Sequence, residues 1–148
     1  MTDKTGLILP TEFHGQPALS LEAADGARCV VSLFGGHILS WVPAGGKERL
    51  YLSPDARFDG QAAIRGGIPV IFPQFAARGD GPRHGFARTR VWQVTEQRAA
   101  ADFVTVTLTL QDDDATRALW PHAFLLELTV MLSGNRLDLE LSAENTGD

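Results

Sequence analysis

A chain of 148 residues and 16.0 kDa is long enough for one globular unit, and its 44% hydrophobic and 21% charged residues exclude a disordered segment. With 13 Lys and Arg against 18 Asp and Glu the net charge is −5, which argues against a nucleic-acid or membrane-surface partner, since both need a basic face. The single Cys29 excludes an internal disulfide and points to a reducing compartment.

The start, "MTDKTGLILP", lacks the apolar core of a signal peptide, and no stretch is long and apolar enough to span a bilayer, so a cytoplasmic, soluble protein is expected. His14 falls in this irregular opening. "PALSLEA" (17–23) alternates apolar and polar residues and predicts the first strand, closed by an "ADG" turn at 24–26. "ARCVVSLFGGHILSWV" (27–42) is a pair of apolar, β-branched runs broken at Gly35-Gly36. It makes Cys29 a small buried hydrophobe and puts His37 at a strand end or kink.

Further strands are predicted at "RVWQVTEQ" (90–97), "DFVTVTLTLQ" (102–111), "FLLELTVMLS" (124–133) and "RLDLELSAEN" (136–145), with an "SGN" hairpin turn at 133–135. In the second of these Thr105, Thr107 and Thr109 share one face, and Val104, Val106, Leu108 and Leu110 share the other, the pattern of a half-buried antiparallel strand. "DDDATRALW" (112–120) predicts a short helix with an aspartate cap and Pro121 at its end. His122 then enters a strand. Many strands and little helix predict an all-β sandwich.

One long stretch has no regular pattern, from Gly60 to Arg88. Loops beyond about 12–15 residues in compact domains are usually functional. Between Arg78 and Arg90 four arginines (78, 83, 88, 90) face only Asp80, a local charge of +3 that leaves −8 for the rest of the chain. Pro69, Pro73 and Pro82 stiffen the path, and Gly66-Gly67 allows close approach to a ligand. Arginine offers a rigid fork for phosphate, carboxylate or sugar hydroxyls. Arg65, Arg83 and Arg88 therefore form a candidate anion or polar-ligand pocket, with His84 as a proton donor or acceptor near neutrality. Trp41 and Trp92 could stack on a sugar but read as core residues. No histidine pair has metal-ligand spacing, and the glycine-rich phosphate loops of nucleotide binders are absent.

The segments "GGHILSW" (35–41), "ERLYLSP" (48–54), "AIRGGIPVIFPQF" (63–75), "PRHGFARTRVW" (82–92), "WPHAFLLELTV" (120–130) and "LSAENTGD" (141–148) resemble, in this order, the hexose-6-phosphate mutarotase branch of the aldose 1-epimerase family. The resemblance implies a galactose-mutarotase-like β-supersandwich, all-β and mostly antiparallel with very little helix. It implies an isomerase that interconverts the α and β anomers of an aldohexose, a sugar or sugar phosphate, with no cofactor. One base takes the anomeric hydroxyl proton and one acid protonates the ring oxygen, so that the ring opens, turns and closes. Arg65 and Arg88 are then substrate-binding positions. Arg83 is a third, where relatives can carry glutamine, and His84 is a hydrogen-bonding partner of the sugar.

Members of the family carry the acid histidine soon after the "NTGD"-type turn and the base glutamate much further on. The resemblance therefore makes residues 1–148 a single partial domain, the N-terminal half, inactive alone, with Glu140 and Glu144 unmarked as bases. Its open strand edges predict self-association. A non-catalytic carbohydrate-binding module is the alternative, and a plain interaction domain with a solvated arginine loop the third.

Overall fold

Residues 4–148 are described here from a computed structural model. Eight strands form, from Leu7–Phe13 (β1), Gln16–Glu22 (β2), Arg28–Ser32 (β3) and His37–Val42 (β4) to Gln93–Ala99 (β5), Val104–Gln111 (β6), Phe124–Ser133 (β7) and Arg136–Asn145 (β8). They make two four-stranded antiparallel sheets, β1-β2-β3-β4 and β5-β6-β7-β8, in which every neighbour is also a neighbour in sequence.

Period-two patterning decides which face is inside. Val104, Val106, Leu108 and Leu110 of β6 are buried, while Thr105, Thr107 and Thr109 on the other face are half-buried. Thr107 Oγ1 meets Thr129 Oγ1 at 3.2 Å, a cross-strand pair on that outer face. Leu19, Leu21, Cys29 and Val31 from the first sheet pack with Val106, Leu108, Leu126 and Val130 from the second in one core. Cys29 is fully enclosed, and burial, with a smaller contribution from Glu48, pushes its thiol pKa up to about 12, which makes it an inert core residue.

The last two strands have the bounds their patterns predict, and the helix follows the predicted cap. It spans Asp114–Leu119 (α1), with Asp113 accepting from the Thr116 amide and the Thr116 hydroxyl accepting from the Asp113 amide. Two elements differ from expectation. β1 was not predicted: "LILPTEF" does not alternate and contains Pro10, which usually demotes a strand. As an edge strand it tolerates that missing N–H, and His14-Gly15 turns it into β2 with φ of 49° and 82°. β5 begins at Gln93 rather than at residue 90, because Val91 bridges to Phe34 and the Trp92 amide donates to the Leu33 carbonyl, tying this stretch to the other sheet.

β8 is the free edge of its sheet. Leu137, Leu139 and Leu141 stand opposite Leu132, Val130 and Leu128 and so share their inward face. The β7 residues are buried, but Leu139 and Leu141 at the sheet edge are 37% and 46% exposed.

Candidate functional site

From Pro43 to Trp92 the chain forms no strand, only bridges and one 3₁₀ turn at Ala87–Thr89. Hydrogen bonds order it instead. The Gly67 amide donates to the Tyr51 carbonyl at 2.7 Å, and the Ser53 amide to the Arg65 carbonyl at 3.1 Å. Ile38 and Ile68 exchange backbone bonds of 3.1 and 2.9 Å, which fastens this stretch to β4. Gly66 and Gly67 have φ of 104° and 61°, and a Cβ on either would collide with a carbonyl, of Tyr51 or of Ile38. The "RGG" spacing is thus a backbone requirement of the position that carries Arg65.

The second arginine segment is clasped to the first. The Phe72 carbonyl accepts from the amides of both Phe86 (2.9 Å) and Ala87 (3.2 Å). Gly85, at φ 73°, passes so close that a Cβ would strike the same carbonyl. Buried Trp92 donates from Nε1 to the Ala87 carbonyl at 3.0 Å and pins the turn from the core side. Trp92 is a structural core residue, as expected from the sequence, although it lies just before β5 rather than in it.

His84 is fixed twice to Ala76. Its amide donates to the Ala76 carbonyl, and its Nδ1 accepts from the Ala76 amide, each at 3.0 Å. Both residues hold left-handed backbones, with φ of 61° and 50°. An Nδ1 that accepts leaves the proton of the neutral ring on Nε2, so His84 offers a donor. Its pKa is lowered, by desolvation first and then by the charges of Arg88 and Arg83. It therefore favours the neutral donor form at pH 7 over a stored acid proton.

These elements bring Arg65, Arg83, His84 and Arg88 to one open cleft of about 620 Å³, floored by Ala62, Ala63, Ile64, Gly66, Gly67 and Pro69. That lies within the roughly 300–1,000 Å³ of small-molecule sites. No carboxylate lines it, and among the described residues the arginines of the cleft have no ion-pair partner. Arg88 Nε is buried without a hydrogen-bond partner. Unpaired guanidinium groups lining one cleft have the chemistry to hold an anion. Patterns in the sequence did not single out Asp55 and Arg57, which share an adjoining polar recess of about 650 Å³ with Arg65. Their only signal is the short polar stretch "PDARFDG". Elsewhere a smaller apolar cleft of about 260 Å³ lies among Phe72, Trp120, His122, Phe124 and Glu144, without any cationic side chain.

The family model described as aldose 1-epimerase matches residues 17–148. Two curated relatives, from Escherichia coli K12 and Salmonella typhimurium LT2, both bear the name "Putative glucose-6-phosphate 1-epimerase". The first is 44% identical over 130 residues, 80% of this chain and 44% of its own length, and the second 40% identical over 147 residues, 91% and 50%. A crystal structure titled as a "putative mutarotase (YeaD)" from Salmonella typhimurium superposes with a TM-score of 0.84 at 31% identity, covering 93% of this chain and 47% of that one. The chain thus spans about half the length of the curated relatives it matches.

Proposed function

The chain belongs to the aldose 1-epimerase family, and on that premise we propose that its arginine cleft is the sugar-binding part of an isomerase acting on a hexose 6-phosphate. The supporting observation is that Arg65, Arg83 and Arg88 line one cleft whose walls carry no carboxylate. A phosphate dianion satisfies that charge, and the neutral sugar ring can accept from His84 Nε2. The names of the relatives agree with such a substrate. Each charge-assisted hydrogen bond contributes about 1.5–3 kcal/mol.

Anomer exchange needs a base at the anomeric hydroxyl and an acid at the ring oxygen. The cleft offers neither a carboxylate nor a histidine tuned to give up a proton. Residues 1–148 by themselves therefore bind and orient the substrate without accelerating its chemistry. The fully buried free thiol of Cys29 is compatible with a cytoplasmic setting. The exposed leucines of β8 support self-association of this unit.

The same absence of a carboxylate favours, as second reading, a binding module that never catalyses. Titration calorimetry with glucose 6-phosphate, alongside exchange NMR of its anomeric protons, tests both. Saturable binding without faster exchange is expected of the 148-residue polypeptide. Absence of binding overturns the sugar-phosphate reading, and rapid exchange overturns the division of labour. Faster exchange by a longer native form, if cells make one, would reject the module.

A further inference from the structure

We propose that His37 is a positioning residue, holding the Arg65–Gly67 turn in its ligand-binding geometry through the Gly66 carbonyl. The inference rests on the reading that Arg65 binds a sugar phosphate.

His37 opens β4 and is 1% exposed, which is unusual for an ionisable ring. Its Nε2 lies 2.6 Å from the Gly66 oxygen. A carbonyl only accepts, so Nε2 carries the proton and the ring donates. This is the side-chain hydrogen bond made to the turn itself; the others there are backbone bonds, from the Gly67 amide to the Tyr51 carbonyl and from the Ser53 amide to the Arg65 carbonyl. The contact is tight on both sides, since a Cβ at Gly67 would come within 3.0 Å of the same Nε2. The ring thus fixes Gly66, one residue from the guanidinium-bearing position, and lines the space that the Ile38 carbonyl and a φ of 61° already close to any side chain at residue 67. Burial lowers the His37 pKa, the Gly66 bond opposes that, and the nearby Arg88 charge lowers it further. Neutral His37 is therefore a neighbour that Arg88 tolerates.

Gln and Met at position 37 have nearly the same shape, and only Gln can donate from the place of Nε2. H37Q and H37M separate the hydrogen bond from packing, at a temperature where both remain folded. The first readout is hydrogen exchange at the Gly67 and Ile68 amides without ligand. The second is the Kd for glucose 6-phosphate. Losing the donor leaves a half-buried carbonyl unpaired, so H37M should exchange at these amides about 5-fold faster than H37Q or more, and bind at least about 5-fold more weakly. H37Q should remain within about 3-fold of the unmodified protein in both. Equal exchange in the two variants overturns the proposal whatever the ligand does. Faster exchange in H37M with an unchanged Kd overturns it too, because the turn would then not govern Arg65. If the unmodified protein itself fails to bind, the sugar-phosphate reading falls, and the ligand-binding role of His37 falls with it.

Discussion

Trp92 Nε1 donates to the Ala87 carbonyl at 3.0 Å, so a core side chain sets the turn whose next residue is Arg88. Trp92→Phe removes that donor and leaves the buried Ala87 oxygen unpaired, a cost of about 1–3 kcal/mol before any loss of packing. A lower denaturation midpoint and weaker glucose 6-phosphate binding are expected together. A stability loss with unchanged Kd would mean that the two Phe72 bonds hold the turn unaided.

Arg65→Ala and Arg88→Ala should each raise the Kd for glucose 6-phosphate by about 10-fold to 100-fold, the equivalent of one charge-assisted contact. Melting temperature should hardly move, since neither arginine has an ion-pair partner among the described residues. Glutamine keeps a hydrogen-bonding head at position 83, so Arg83→Gln should cost less than either. Affinity should weaken with added salt for the unmodified protein and less steeply for each variant. Equal Kd values for all three variants and the parent would remove the arginines from binding.

Gly85→Ala places a Cβ against the Phe72 carbonyl at a φ of 73°. Left-handed strain alone is about 1–3 kcal/mol, and the collision adds to it. Urea denaturation should show a loss of at least about 2 kcal/mol. A variant as stable as the parent would show that the clasp between the two arginine segments is loose.

Acid sensitivity follows from the histidines. An unfolded histidine titrates near 6.5, and both His37 and His84 lie lower in the folded protein, desolvation being the first cause for each. Below about 6.5 the unfolded chain therefore binds more protons. Stability is complete above that pH and declines as pH falls through it toward the folded values. Midpoints in urea at about pH 7.5 and about pH 5.5 measure this, and His37→Gln should flatten the slope. Equal midpoints for the parent would contradict the lowered values. Asp112 and Asp59 are also lowered, by backbone hydrogen bonds first, and extend the loss into the carboxylate range.

Sedimentation velocity at rising concentration should show association through β8. Leu139→Glu with Leu141→Glu puts charge on the exposed inward face and should return the protein to monomer. Monomer throughout for the parent would count against this surface.

The sandwich was legible because its signal is local. Alternation in "FVTVTLTLQ" and "FLLELTVMLS" marks the core face residue by residue. β1 was not legible, because Pro10 is acceptable only where no neighbour needs its N–H, and edge position is a property of the assembled sheet. The gathering of Arg65, Arg83, His84 and Arg88 was suggested by glycine and proline spacing and by family resemblance. What holds them was not, since the Phe72 carbonyl clasp and the His37 bond to Gly66 join residues 14 to 29 positions apart with no pattern between them. Asp55 and Arg57 carry no motif, and only the path of the chain puts them beside Arg65.

Each sheet is a meander of sequence neighbours, and the cleft lies on the connector that runs from one to the other. That arrangement fixes an order of events. Short-range strand pairing can complete within each sheet without the connector, whereas the Phe34–Val91 and Ile38–Ile68 bridges need both ends of it seated. On that order the cleft is expected to close last in folding and to open first in native-state fluctuations, which hydrogen exchange at the Gly67 and Ile68 amides would show. A bound anion would act as a rivet between the two arginine segments of the connector, slowing its opening while leaving the speed of strand pairing untouched.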